Sequence, residues 1–295
     1  IGIKNNQITV ISPIEGTPAA NAKLKAGDRI ATIGDKSTKD MALEEAVSLI
    51  RGPQGTKVKL GILRKGWKDP RDYEIVRARI EIKSVVTKQL DDNIAYVKLN
   101  TFENLNAARE FEKALRKFKS ASGLIVDVRG NGGGLLQNAI DIGSMFVDRG
   151  MIVQTVDREG KREQIESTGR VLWRKPTVLL INEASASASE ILAGAMRDNK
   201  AASLVGTKSF GKASVQNVRR LNDGSALLVT IAKYLTPSGE DINKKGIAPD
   251  YEVLIPTEEA EAEPPEVAVE KEVKDIQLEK AVDVLKSMIK EQAGG

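Results

Sequence analysis

Two uninterrupted apolar runs, each ending in a loop of unusual composition, constrain this chain more than any other feature. GLIVDV, residues 123–128, runs into RGNGGG, and TVLLI, residues 177–181, runs into NEASASASE. Short apolar runs bounded in this way read as buried strands. Between IAYVKL, residues 94–99, and the first of them lies AAREFEKALRKF, where Ala108, Phe111, Leu115 and Phe118 fall on one helical face. From about residue 84 strands thus alternate with helices. The alternation predicts an α/β sheet whose ligands meet the loops at the carboxyl ends of the strands. Both unusual loops sit at that end.

The chain of 295 residues contains no Cys and no His. Disulfides, thiol nucleophiles, histidine metal sites and any Ser-His-Asp triad are thereby excluded, and a general base must be Lys, Asp, Glu or Tyr. No metal and no other cofactor is expected. Net charge is +4, from 45 basic and 41 acidic side chains that are interspersed, and aromatics make up 4%. That pattern argues against nucleic acid as a partner. No apolar run approaches the roughly 18 residues needed to cross a bilayer. The chain opens at Ile1 on mid-strand sequence, which reads as trimming or processing upstream, with any export signal or membrane anchor in the lost segment.

Residues 1–83 read as a β-rich unit. ITVISPIEG gives a strand and turn, AKLKAGDRIATIGDKS a short helix ending at Ala26-Gly27-Asp28 and then a strand, and MALEEAVSLIRG a helix closed by Gly52-Pro53. Strands follow at Val58–Leu63 and near Tyr73–Val76. A second unit is expected over 84–256. In the remainder, 257–295, TEEAEAEPPEVAVEKEVKD is an acidic linker or weakly held strand. LEKAVDVLKSMI is an amphipathic helix that wants a partner surface, on this chain or on a second copy of it.

The serine loop places Ser185, Ser187 and Ser189 between a buried strand and an Ala-rich helix, with Glu190 in its first turn. A strand-to-helix elbow exposes a side chain at the sheet edge and aims free backbone N–H groups at what sits there. Capping accounts for one such serine, with Glu190 as its capping-box partner, but not for three. Gly132, Gly133 and Gly134 let the backbone approach a substrate closely and suit an anion. GTKSFGKAS, residues 206–214, is one residue short of a phosphate loop, since Ala213 replaces the Ser or Thr that binds magnesium. A hairpin signal at Asn222-Asp223-Gly224 follows instead of a helix, so a nucleotide is not expected. Lys212 is left as the available base. It serves only if its pKa falls from about 10.4 to roughly 7 or 8, as burial beside Phe210 and Gly211 would achieve. Gln216, four residues on, is placed to hydrogen-bond the neutral amine.

SPIEGTPAANAKLKAGDRIATI, DVRGNGGGLL, NEASASASEILAGAMRDN, GTKSFGKASVQ and YLTPSGEDINKKGIAPD, in this order, resemble the carboxy-terminal processing (tail-specific) serine proteases. The resemblance implies a PDZ-like β-rich domain followed by an α/β protease core. It makes Ser187 the nucleophile, Lys212 its base and Gln216 the assistant. It also makes the N–H groups of Ala188 and of Gly133 or Gly134 the oxyanion hole, and leaves Asp198 a structural acid. A PDZ domain binds an extended C-terminal tail by strand addition, with backbone N–H groups, here around Ile1, Gly2 and Ile3, holding the carboxylate. Protein substrates with unstructured C-termini and an extracytoplasmic location are implied. The rival is a PDZ-type scaffold that binds peptides without cutting. Gly132, Ala184 and Ala213 depart from the Pro, Gly and Gly common in the family. SFGK also spells a Ser-x-x-Lys motif, which would make Ser209 the nucleophile, but its usual companion motifs are absent.

Overall fold

A computed structural model describes residues 1–4, 7–11, 13, 16–25, 27–80, 83–221, 225–255 and 274–294, the side chains of residues 216–218, 220, 228, 293 and 294 excepted. The Asn222-Asp223-Gly224 turn and the acidic stretch up to residue 273 lie outside the described residues. The chain divides into two units, Ile1–Glu81 and Ile82–Gly295.

The first unit runs β1 (Gly2–Lys4), β2 (Gln7–Thr9), α1 (Pro18–Asn21), β3 (Arg29–Ile33), β4 (Lys36–Ser37), α2 (Leu43–Ile50), β5 (Lys57–Leu63) and β6 (Arg71–Val76). The sheet order is β1-β2-β3-β5-β6, with β4 on β3, so β1 is an edge strand. Alternation in β5 buries Val58, Leu60 and Ile62 against Ile8, Ile30 and Ala46. The short helix lies upstream of its expected place at residues 22–28. Pro18 starts it, where a missing N–H costs nothing, and Lys23 at φ 59 turns the chain out of it.

One charge is deeply buried in this unit. Asp28 accepts from Arg64 Nε at 2.6 Å, Arg64 Nη2 at 2.7 Å and the Lys25 N–H at 2.8 Å. Burial alone raises its pKa, but the guanidinium and the amide together outweigh burial and hold it below the ordinary carboxylate value. A depressed folded pKa stabilises above the unfolded value and is lost as pH falls through the folded one. Wild-type stability should therefore fall as pH drops below about 4. Asp28→Asn should be less stable at neutral pH and lose less over that window, as read from denaturant midpoints at a series of pH values.

The second unit runs β7 (Val85–Leu90), β8 (Ile94–Leu99), α3 (Ala107–Lys117), β9 (Gly123–Asp127), α4 (Leu136–Ser144), β10 (Met151–Asp157), β11 (Arg162–Glu166), β12 (Thr177–Ile181), α5 (Ala188–Asp198), β13 (Ser203–Gly206), β14 (Ser214–Arg220), β15 (Ala226–Leu235), β16 (Tyr251–Glu252) and α6 (Ile276–Gly294). Its main sheet has the order β16-β13-β12-β9-β8-β7. All of its pairings are parallel except β7 on β8. A second, antiparallel sheet has the order β11-β10-β15-β14.

Every residue of β9 and β12 is buried, because helices cover both faces of the main sheet. Leu124, Val126, Leu179 and Ile181 point toward α3, α4 and α5, where they meet Phe111, Ile142 and Leu192. Ile125, Val178 and Leu180 point the other way and meet Ala281, Val284 and Leu285 of α6. The C-terminal helix thus finds its partner surface on this chain's own sheet.

Candidate active site

The carboxyl ends of β9 and β12 deliver the glycine and serine loops side by side. Ser187 is the residue before α5, at φ 55 and ψ −114, a conformation that a non-glycine residue adopts only under constraint. Its neighbours supply that constraint. Ser185 is fully buried, donates its hydroxyl to the Val128 carbonyl at 2.8 Å and accepts the Asn182 N–H at 3.0 Å. Ser189 is also fully buried and donates to the Asn131 carbonyl at 2.8 Å. The flanking serines therefore stitch the elbow to β9 and the glycine loop. Ser187, half-buried, is the one of the three that reaches the surface.

Glu190 ties the elbow to the lysine loop. Its buried carboxylate accepts four hydrogen bonds. Oε1 takes Ser209 Oγ at 2.6 Å and the Gly211 N–H at 2.7 Å, while Oε2 takes the Ser187 and Lys212 N–H groups at 2.9 Å each. The Phe210 N–H adds a bond to the Ser185 carbonyl at 3.0 Å. Sequence reasoning saw Glu190 only as a capping partner. The available signal was an acid flanked by apolar residues in SEILAGA, since a carboxylate in such a setting must find donors.

The same network fixes the role of Ser209. Its hydroxyl donates to Glu190 and accepts the Ile247 N–H at 2.7 Å, so both its capacities are used. Gly211, at φ 89, sits where a Cβ would come within 2.8 Å of the Gly246 nitrogen. Lys212 follows it. The expectation of a buried lysine is not met in this structure: the Lys212 side chain is exposed, Phe210 is 62% exposed, and no hydrogen bond joins the Lys212 ammonium to Ser187 among the described residues. Strand β14 follows Lys212, so no helix end is there to receive a phosphate. Gln216 lies in β14 opposite Thr230. Its side chain is outside what is described.

In the glycine loop, Gly133 (φ 99) lies hard against the elbow. A Cβ there would be 2.9 Å from Ser187 Cβ and from the Ala188 nitrogen. The Gly133 N–H is donated to Asn131 Oδ1 at 2.9 Å, whereas those of Gly134 and Ala188 have no protein acceptor among the described residues. Asn131 is buried, and it donates to the Leu99 carbonyl at 2.7 Å and accepts the Ala186 N–H on its own carbonyl. Asp198 receives the Ser238 N–H at 2.9 Å and Arg197 Nε at 2.8 Å and so pins the 236–240 turn. Among the described residues no group of acidic side chains is arranged to hold a metal ion.

In the first unit, Ile1, Gly2 and Ile3 belong to or adjoin the edge strand β1, with Ile1 and Ile3 exposed. Ile1 lines an apolar cavity of about 460 Å³ with Val10, Ile30 and Ile50, and Ile3 lines one of about 300 Å³ with Met41 and Ala42. Residues beside both ends of α2 share cavities with this strand.

If Glu190 holds both loops, Glu190→Gln should destabilise the chain by about 2–4 kcal/mol, because an amide offers one acceptor and two donors to a site with four donors. Ser209→Ala should cost less. Denaturant midpoints check both.

Comparison with known proteins identifies the family. The profile of peptidase family S41 matches residues 93–253, and that of the PDZ domain matches residues 1–63. A carboxyl-terminal-processing protease of Synechocystis is 41% identical over 263 residues, which are 87% of this chain and 61% of that protein. The carboxy-terminal processing protease CtpA of Bacillus subtilis is 39% identical over 256 residues, 86% of this chain and 54% of that protein. The chain thus spans little more than half the length of these relatives. Among solved structures, a photosystem II D1 C-terminal processing protease superposes with a TM-score of 0.66 at 33% identity, covering 85% of this chain and 69% of that one.

Proposed function

Because the chain belongs to peptidase family S41, we propose that it is the PDZ and catalytic portion of a serine endopeptidase that takes up unstructured protein tails and cleaves near their C-terminus. The observation that carries this reading is the Glu190 carboxylate, which binds the Ser187 and Lys212 backbones at once. Ser187 Oγ attacks the scissile carbonyl carbon as its proton passes to the neutral Lys212 amine. The oxyanion is met by the Ala188 N–H and the glycine loop. When the C–N bond breaks, the Lys212 ammonium returns the proton to the leaving amine, and water then hydrolyses the acyl-serine by the same base. Gln216 is assigned to orient the Lys212 amine. The exposed Lys212 side chain has to turn in over the elbow, where a substrate lying across the site would desolvate its amine and favour the uncharged form.

A tail is taken up as an added strand beside β1, with the backbone around Ile1, Gly2 and Ile3 at its carboxylate. We place the protein in an extracytoplasmic space. Among the described residues no helix is long and apolar enough to cross a membrane. Self-association through α6 would have to use its outer face, since the apolar one is packed on the sheet.

The exposed lysine equally suits a scaffold that binds and does not cut, and incubation with an unfolded protein followed by mass spectrometry separates the two. Fragments should form with the wild type and be absent with Ser187→Ala and with Lys212→Arg, whose cation cannot be discharged at working pH. Ser185→Ala should still cleave while losing about 1–3 kcal/mol of stability. No cleavage by the wild type at any pH from about 6 to about 10, a span that brackets a lysine pKa lowered to roughly 7 or 8, would favour the scaffold.

A further inference from the structure

Arg129 is the first residue of the glycine loop, and its guanidinium joins that loop to the far end of the chain. Nε and Nη2 donate to Asp127 at 3.0 and 2.7 Å. Nη1 and Nη2 donate to Asp275 at 2.8 and 2.7 Å. The remaining Nη1 proton goes to Gln277 Oε1 at 3.1 Å. All five N–H groups are thus used. Asp275 stands just before α6 and also accepts the Leu278 N–H at 3.0 Å, capping that helix. Gln277 is buried and donates onward to the Val253 carbonyl at 2.9 Å. Tyr96 completes the set, donating its hydroxyl to the buried Asp127 at 2.7 Å.

On its other side the loop is bonded to the serine elbow. The Gly130 N–H reaches Asn182 Oδ1 at 2.9 Å, and the Asn131 carbonyl receives the Ala186 N–H and the Ser189 hydroxyl. Hydrogen bonds at both ends, joined through the Arg129–Gly130–Asn131 backbone, therefore connect the start of α6 to the residues flanking Ser187.

We propose that Asp275 is a positioning residue of the catalytic site: through Arg129 it fixes the glycine loop against Ser187, so that seating of the C-terminal helix and competence of the site are one event. This rests on the reading of Ser187 and the glycine loop given above. The charges favour it. Asp127 alone occupies two of the five donors, and without Asp275 the nearly buried guanidinium keeps one carboxylate and has unsatisfied N–H groups on the residue that begins the loop. Burial raises the Asp275 pKa, but the Arg129 hydrogen bonds outweigh that and lower it, which is what a bond to the ionised form does. A helix packed only for stability needs no such clamp at the catalytic edge. Its apolar face already buries Ala281, Val284 and Leu285 on the sheet.

The test compares Asp275→Asn with Leu285→Ala in the full chain. The second variant removes fully buried packing from α6 without touching Arg129. Cleavage of an unfolded casein, thermal melting and amide hydrogen exchange are measured on both. Asp275→Asn should lower kcat about tenfold or more with KM changed less than about twofold, since a misplaced loop penalises the transition state and not tail capture. Exchange should speed up across Gly130–Leu135 in that variant, and Asp275→Glu should recover part of the loss. Leu285→Ala should melt lower yet keep kcat and the exchange pattern of the loop. Wild-type kcat and exchange in Asp275→Asn would overturn the inference, as would a kcat loss that simply follows melting temperature across both variants. If the wild type does not cleave at all, the protease reading fails separately, and the exchange comparison at Gly130–Leu135 still decides the role of Asp275.

Discussion

A carboxylate taken out of water costs several kcal/mol unless donors replace the solvent, and Glu190 meets that demand with four. Its donors come from two segments about twenty residues apart, so the anion can be satisfied only when the serine elbow and the lysine loop converge on it. Glu190 also sits in the first turn of α5, where the helix dipole favours negative charge. The hydrogen bonds and the helix dipole therefore favour one geometry. They offset the backbone cost of Ser187 at φ 55, which is of order 1–3 kcal/mol.

Convergence at one point still needs a floor, and the main sheet provides it. Residues of β9 and β12 alternate between two covered faces, one under α3, α4 and α5 and the other under α6. Neither strand can shift register by one residue without exchanging its two apolar sets. The loops at the strands' carboxyl ends consequently start from fixed points. Gly133 can lie where a single added methyl group would strike Ser187 Cβ because both ends of the approach are anchored.

What could be read in the sequence follows from the range of the forces involved. GLIVDV and TVLLI could be recognised as buried strands, and AAREFEKALRKF as a helix with Phe111 and Leu115 inward, because side-chain periodicity is local. The loops at the strand ends were legible for the same reason, since three glycines and three alternating serines are unusual wherever they occur. Position along the chain was harder. The helix expected over residues 22–28 forms at Pro18–Asn21 because a proline at its start and a positive φ at Lys23 outweigh the apolar spacing that followed. Long-range pairing was not legible at all. Nothing in SEILAGA says that Glu190 meets Gly211 and Lys212, and nothing in DVRGN says that Arg129 meets Asp275, because a hydrogen-bond partner far along the chain leaves no periodicity. Burial of Lys212 was inferred from its apolar neighbour Phe210, yet an aromatic neighbour in sequence shields a lysine only when it folds over it, and here Phe210 faces solvent.

The Gly133 N–H poses the sharpest question about the proposed chemistry, since it is already bonded to Asn131 Oδ1. A neutral amide oxygen is a weaker acceptor than an oxyanion, by roughly a factor of two in bond strength. A ground-state carbonyl, itself neutral, has little advantage over Asn131 and would leave that bond in place. Charge developing on the carbonyl oxygen does have the advantage, so the N–H would turn to the substrate only as the tetrahedral species forms. An interaction made in the transition state and absent from the ground state raises kcat without tightening substrate binding. The cost is a small reorganisation of Asn131, whose other bonds, to the Leu99 carbonyl and the elbow, limit how far it moves. Asn131 thus keeps the glycine loop closed and satisfied at rest, and in the proposed chemistry the Ala188 and Gly134 N–H groups, which have no protein acceptor among the described residues, would meet the carbonyl first.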